Sequence, residues 1–227
     1  QLISAAYGSS GQRCMALSVA MVSSEVKNEF ISSLTEKVAS LKVGLDILES
    51  NNFGPLVSEN HKEKVQNYIS LAEKEGSNIL LDGRDVSKGK NSSNGYHIGP
   101  TIIDNVSTSM KSYQNEIFGP VLQIIEIKDF DEGVSIINRN RFGNGCCIFT
   151  SGGEKSRSFY SKVDIGMVGI NIPLPVPSSF HSFGGWKDSI FGDLNIYGPD
   201  GLRFYTKRKT ITQRWPASSN SSSKINL

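Results

Sequence analysis

The heptapeptide Val121-Leu122-Gln123-Ile124-Ile125-Glu126-Ile127 is almost continuously apolar. An amphipathic strand with one wet face would alternate; a near-continuous run belongs to a central strand covered on both faces, as in a parallel sheet. Its neighbours extend the pattern. Ala16 to Val22 and Thr101-Ile102-Ile103 read as further strands, as do Ile79-Leu80-Leu81, Cys146 to Thr150 and Met167 to Ile172. Between them lie helical stretches. Val26, Phe30, Leu34, Val38 and Leu41 share one helical face, and Gly44 ends that helix. Ser58 is placed to cap a second helix running to Glu75, with Val65, Tyr68, Ile69 and Ala72 as its apolar stripe and Gly76 following its C-cap. Asp131 is placed to cap a third over Glu132 to Asn140, and Glu154 to Val163 makes a fourth. Strand and helix alternate, so the fold expected is α/β with a largely parallel sheet flanked by helices.

Other stretches break this rhythm. Phe53 to Val57 reads as a turn, and Asp82 to Gly99, rich in Gly, Asn, Ser and Lys, as an exposed excursion. Pro173-Leu174-Pro175-Val176-Pro177 interrupts regular structure, and a Gly-rich loop follows from Phe180 to Gly198. Residues 202–215 return to β-type side chains and are expected to form a β arm pairing outside the core. Residues 216–227, Ser- and Asn-rich, are expected to be a disordered tail. Gln1 to Tyr7 reads as the end of a helix already under way, which suggests a fragment with further chain upstream.

The 227 residues carry 24 basic and 22 acidic side chains, a formal charge of +2. That balance gives a polyanion nothing to bind, and Lys207-Arg208-Lys209 is too short for a nucleic-acid partner. No apolar run reaches membrane-spanning length. Three cysteines, two of them adjacent, do not make a disulfide framework. Reduced thiols are expected, with Cys146 and Cys147 as core packing. The Asn-x-Ser triplets at Asn91, Asn105 and Asn220 are matched by chance. His61, His97 and His181 lie far apart and show no metal-ligand spacing. Any of them could partner a Cys-His hydrolase, and nothing selects one.

Three stretches can carry chemistry. Cys14 follows Gly8-Ser9-Ser10-Gly11-Gln12-Arg13. Glycines give a thiol access, and an adjacent cation favours the thiolate, which is the nucleophile. A buried filler role is the competing reading. Asn115-Glu116-Ile117-Phe118-Gly119-Pro120 precedes the strongest strand. Glu116 there can accept hydrogen bonds from sugar hydroxyls, and Phe118 offers a face to a heterocycle; an ordinary turn is the alternative. Phe180 to Ser189 interleaves aromatics with glycines and either walls a substrate tunnel or packs as a surface loop.

Taken in order, Gly11-Gln12-Arg13-Cys14, Glu116-Ile117-Phe118-Gly119-Pro120-Val121 and Ser182-Phe183-Gly184-Gly185-x-Lys187-x-Ser189 resemble the C-terminal half of aldehyde dehydrogenases. Cys14-Met15-Ala16-Leu17-Ser18, Leu80 to Arg84, Asn171-x-Pro173-x-Pro175-Val176-Pro177 and Gly192-Asp193-x-Asn195-x-Tyr197-Gly198 narrow this to the methylmalonate-semialdehyde dehydrogenase branch. The likeness covers nearly all of residues 1–215.

The resemblance implies a catalytic thiol domain over residues 1–201 and an oligomerisation arm over 202–215. The dinucleotide-binding domain and the oxyanion asparagine would lie upstream of Gln1. Cys14 would attack an aldehyde carbonyl, with its backbone N–H helping to hold the oxyanion. Arg13 would bind the carboxylate of a semialdehyde and favour the Cys14 thiolate. Phe183 would border the substrate. Glu116 would hold the nicotinamide ribose of NAD, and Phe118 would border the nicotinamide. The acyl group would pass from Cys14 to coenzyme A after carboxylate loss. Valine and pyrimidine catabolism, a mitochondrial location and a homo-oligomer, dimer or tetramer, are implied with it. Two departures stand out: Cys146-Cys147 where small residues are usual, and His181 in the aromatic loop. The alternatives are a hydrolytic aldehyde dehydrogenase and an inactive fragment serving only as a folding or oligomerisation module.

Overall fold

The structure, a computed structural model, describes residues 1–44, 54–85 and 95–215. In chain order its elements are α1 (Leu2–Tyr7), β1 (Val19–Ser23), α2 (Lys27–Ala39), α3 (Glu59–Lys74), β2 (Asn78–Leu81), β3 (Thr101–Asp104), α4 (Lys111–Gln114) and β4 (Val121–Ile127). Then follow α5 (Phe130–Arg139), β5 (Phe142–Gly143), β6 (Gly145–Ile148), α6 (Gly153–Lys162), β7 (Met167–Ile170), β8 (Trp186–Lys187) and α7 (Pro199–Tyr205).

The apolar heptapeptide is the inner strand that its composition demands. The first sheet runs β1-β4-β3-β2, with β4 parallel to both β1 and β3 and only β2 antiparallel. Successive side chains of β4 point to opposite faces. Val121 and Ile125 join Val65, Ile69 and Ala72 of α3 in one apolar layer. Leu122 and Ile124 join Ala6 and Tyr7 of α1 and Leu34 and Val38 of α2 in the other. Gln123 is the polar exception; its buried amide donates to the Ser112 carbonyl at 3.0 Å. Tyr7 carries its hydroxyl into the same interior and donates to the Thr101 carbonyl at 3.0 Å, while burial pushes its pKa up.

A second, two-stranded parallel ladder joins β6 to β7, and β5 pairs antiparallel with β8. Val134 of α5 and Phe159 of α6 pack with Val163 and Ile165 beneath β6 and β7. Among the described residues β1 pairs only with β4, and β6 only with β7. One edge of each is therefore open, and the residues of both strands line a common cleft.

Local signals set the element ends. The Ser58 hydroxyl accepts from the His61 N–H at 3.2 Å, and Gly76 takes the positive φ of +101° after α3. The cap of the third helix lies two residues before the expected one. Asp129, not Asp131, accepts from the Glu132 N–H at 2.8 Å, because Glu132 reaches back in turn to the Lys128 N–H at 2.8 Å.

The expected β arm is corrected where it overlaps a helix, at residues 202–205. Residues 199–205 form α7, and no residue of 206–215 belongs to a strand. Pro199 opens the helix, Arg203 pairs with Asp200 one turn away, and Thr206 hydrogen-bonds the Leu202 carbonyl. β-type side chains need a partner strand to express that preference, and none lies beside them among the described residues. Phe53 of the expected turn, residues 86–94 of the excursion with Asn91, and the tail 216–227 with Asn220 lie outside the described residues.

Candidate active site

The Cys14 loop is built on an unusual backbone. Ser9, Ser10 and Gly11 all lie in the left-handed region, at φ of 53°, 58° and 67°. Two non-glycine residues there are strained, so the surroundings must hold them. The Ser10 hydroxyl donates to the Gly54 carbonyl at 2.6 Å. The Gln12 amide gives to the Pro55 carbonyl and takes from the Val57 N–H at 3.0 Å. A β-carbon on Gly11 would overlap the Gly119 carbonyl, so this loop rests backbone to backbone on the Glu116–Pro120 loop. Beyond it, Ala16 N–H bonds the Arg13 carbonyl at 3.1 Å. Cys14 sits at the corner of that turn with its side chain exposed, above a buried Met15. The buried-filler reading of Cys14 is thereby excluded.

Arg13 turns back on its own loop. Its Nε donates to the Gly8 carbonyl at 3.1 Å and its Nη2 to the Ser4 carbonyl at 3.3 Å. The guanidinium thus ties the end of α1 to the residue before the thiol. Nη1 has no protein partner among the described residues.

The Glu116 loop forms another wall. Ile117 is buried under it, while Glu116 and Phe118 face outward. Phe118 holds a φ of +60°, and the His61 ring nitrogen stands 2.7 Å from its carbonyl oxygen. The two rings meet edge to face at 6.4 Å. A β-carbon on Gly119 would press into the Val65 side chain, so the loop lies tight on α3.

The aromatic loop supplies the remaining wall. Phe183 packs against Tyr197 with ring centroids 5.5 Å apart. Lys187, at φ +54°, inserts its ammonium among the carbonyls of Ile137, Asn138 and Asn140 and so closes the C-terminal end of α5. Ser189 accepts from the Gly143 N–H at 3.0 Å. His181 is exposed.

One cleft of about 1310 Å³ is lined by Arg13, Cys14, Glu116, Phe118 and Phe183 together. All five candidate residues are therefore brought to one site, from three separated segments. None of the three histidines lines it, which leaves the Cys-His hydrolase reading without a base. An exposed carboxylate and a 38% exposed phenyl face, on the same cleft as the thiol, fit a ribose and a flat heterocycle.

The other thiols differ from Cys14. Burial, with the neighbouring Cys147 adding and Lys187 opposing, pushes the Cys146 thiol up to about 12. Burial raises Cys147 as well. Both are free and partly buried; Cys146 packs against the layer of Val134 and Phe159.

Two contributors carry no sequence signal of their own. Asn144 donates from Nδ2 to the Cys14 carbonyl at 2.7 Å, across the cleft. His61 props Phe118 from α3. Each is a lone polar residue whose partner lies far away in sequence.

The chain matches the model of the aldehyde dehydrogenase family over residues 1–211. It is 46% identical over 215 residues to malonate-semialdehyde dehydrogenase 2 of Oceanobacillus iheyensis, covering 95% of this chain and 44% of that protein. It is likewise 46% identical over 216 residues to malonate-semialdehyde dehydrogenase of Pseudomonas aeruginosa, covering 95% and 43%. The chain thus spans less than half the length of these curated relatives. Among solved structures, methylmalonate-semialdehyde dehydrogenase from Oceanimonas doudoroffii superimposes with a TM-score of 0.92 at 51% identity, covering 96% of this chain and 45% of that one. Betaine aldehyde dehydrogenase from Staphylococcus aureus in complex with NAD+ gives 0.89 at 29% identity, covering 99% and 44%. These organisms are bacterial and lend the mitochondrial expectation no support. No described helix is long and apolar enough to cross a membrane. With the family model matched from the first residue to beyond α7, the chain belongs to the aldehyde dehydrogenase family.

Proposed function

We propose that this chain carries the thiol-bearing part of an NAD-dependent, CoA-acylating semialdehyde dehydrogenase. The observation that supports the reading most is Cys14 itself. It stands exposed at the corner of a turn and shares one cleft with Glu116, Phe118 and Phe183. The relatives' names, malonate- and methylmalonate-semialdehyde dehydrogenase, supply the substrate class.

In this reading the Cys14 thiolate adds to the aldehyde carbon, and the carbonyl π pair moves onto oxygen. The Cys14 backbone N–H is one donor to that oxyanion. Glu116 accepts hydrogen bonds from a ribose, and Phe118 sets an apolar face beside the nicotinamide. NAD held by Glu116 and Phe118 would supply the acceptor for the hydride of the aldehyde carbon. Cys14 is then left as a thioester; the substrate carboxylate leaves as CO2 with a proton taken up at the adjacent carbon, and the acyl group goes to the thiol of coenzyme A, which gives up its proton while the Cys14 sulfur departs as thiolate. Arg13, with Nη1 uncommitted, binds the substrate carboxylate.

Association of copies belongs to the same proposal. Leu202, Phe204, Tyr205, Ile211 and Trp215 are all more than half exposed near the C-terminal end. Such a group of apolar side chains is what a second copy would cover.

A chimera tests the reading. This chain replaces the matched part of the Pseudomonas aeruginosa enzyme, and NADH formation is followed with malonate semialdehyde, NAD and coenzyme A. Turnover that disappears on Cys14→Ser, with acyl-CoA as product, is the expected result. NADH formation that survives Cys14→Ser removes the proposed nucleophile. A free acid as product favours the hydrolytic alternative. Arg13→Leu is expected to erase the preference for carboxylated over plain aldehydes.

A further inference from the structure

The Cys14 turn is fastened by several contacts before the thiol and by few after it. Before the thiol, the Arg13 guanidinium, the Gln12 amide and the Gly11–Gly119 approach all hold the backbone. After it, the Cys14–Met15 peptide has a single side-chain partner among the described residues, the Asn144 amide. A carbonyl oxygen only accepts, so the nitrogen of Asn144 must face it. At 2.7 Å this is a short, well-formed hydrogen bond.

Asn144 is itself held by its frame. It joins β5 to β6, and its carbonyl accepts from the Met167 N–H at 3.1 Å. Gly143 beside it is fixed from both sides: its N–H donates to Ser189 Oγ and its carbonyl accepts from the Gly166 N–H at 2.9 Å. Gly145 has no β-carbon, and one there would strike the Met15 methyl. The Met15 sulfur lies 3.2 Å from the same Asn144 nitrogen. The β5–β6 junction therefore grips the turn through the Cys14 carbonyl and the Met15 side chain at once. Ser189 and the β5–β8 pairing connect that junction to the loop bearing Phe183.

We propose that Asn144 is a positioning residue, which fixes the Cys14–Met15 peptide plane and thereby the direction of the Cys14 sulfur relative to its own N–H. Asn144 acts through Cys14, by way of its backbone carbonyl. The inference rests on Cys14 being the nucleophile. Its physical basis is that an exposed side chain has no packing to orient it, so its backbone must. Attack on a carbonyl tolerates little misplacement.

The test uses the 227-residue chain and the reversible adduct of Cys14 with succinate semialdehyde. In that adduct the Sγ–C bond forms and the carbonyl oxygen takes up the electron pair and a proton. The adduct is read as protection of Cys14 from iodoacetamide, with mass spectrometry of the Cys14 peptide. Asn144→Leu removes the donor without adding charge, Asn144→Asp removes it without changing size, and Asn144→Gln keeps an amide.

Loss of the hydrogen bond is expected to weaken protection roughly tenfold in the Leu and Asp variants, with the Gln variant recovering much of it. Circular dichroism and the alkylation rate without aldehyde are expected to stay near the parent's for Asn144→Leu. A purely structural role would lower the melting temperature while the folded molecules kept full protection, and that result overturns the proposal. Equal protection in all variants overturns it too, with the nucleophile reading intact. A parent chain that succinate semialdehyde does not protect overturns both.

Discussion

Gly11 and Gly119 meet backbone to backbone: a β-carbon on Gly11 would fall inside the Gly119 carbonyl group, and Gly11 holds a φ of +67°. The contact joins the thiol loop to the Glu116–Phe118 loop across more than a hundred residues of sequence. Gly11→Ala introduces both a left-handed alanine and a steric overlap with backbone, which cannot rotate away. We expect a loss of about 2–3 kcal/mol in stability and a displaced Cys14 loop. The urea midpoint checks the first, and the rate of Cys14 alkylation in the folded protein checks the second.

The three thiols are expected to react very unequally. Cys14 is exposed, whereas burial pushes Cys146 up to about 12. At pH 8 the thiolate of Cys146 is then about one part in ten thousand. Iodoacetamide at that pH should modify Cys14 first, and Cys146 and Cys147 only after denaturant is added. Peptide mass spectrometry before and after urea gives the answer.

His97 makes stability depend on pH. It is 5% exposed, and neither ring nitrogen has a hydrogen-bond partner among the described residues. Burial, helped by the positive charge of Lys62, lowers its pKa below the ordinary 6.5. Above pH 6.5 neither the folded nor the unfolded chain holds the proton. Between 6.5 and the lower folded value only the unfolded chain does, so unfolding takes up a proton and stability falls as pH falls. The slope from this one group approaches about 1.4 kcal/mol per pH unit. Melting curves at pH 7.5 and 5.5 should differ more for the parent than for His97→Phe.

Lys27 is expected to matter more than a surface lysine. Its ammonium lies 3.1 Å from both Asp104 and Glu126, and Lys27 and Asp104 are largely buried. Burial opposes the charge, but the hydrogen bonds to Asp104 and Glu126 outweigh it and hold the pKa above its ordinary value. Lys27→Met strands the Asp104 carboxylate on β3. A cost of about 2 kcal/mol follows, between the figures for exposed and fully buried pairs. Adding Asp104→Asn should recover part of it, read as a shift of the urea midpoint.

The parts that were legible in the sequence are those whose physics is local. Val121 to Ile127 announces an inner strand because both its faces must be covered, and the structure puts a layer on each. Ser58 and Gly76 bracket α3 because cap chemistry is read within a few residues. Asp129 and Asp131 were both chemically able to cap α5, and the choice depends on the reach of Glu132 to Lys128. Residues 202–215 have strand-type side chains, but a strand exists only with a neighbour, and the sequence of one segment does not contain its neighbour. Arg13 beside Cys14 suggested a ligand; the fold shows that two of its donors are first used on Gly8 and Ser4. Asn144 could not be read at all, since its partner is 130 residues away.

The β6–β7 ladder and the four-stranded sheet share no backbone hydrogen bond among the described residues; they face each other across the cleft. Cooperativity passes through such bonds and through packed side chains, and here the bridge is narrow. The molecule therefore consists of two units that can lose structure at different times. Amide protons of Gly145–Ile148 should exchange with solvent well before those of Val121–Ile125, in hydrogen-exchange mass spectrometry under native conditions. Whatever occupies the cleft couples the two, so a bound ligand would register first as slower exchange along β6, whose residues line that cleft.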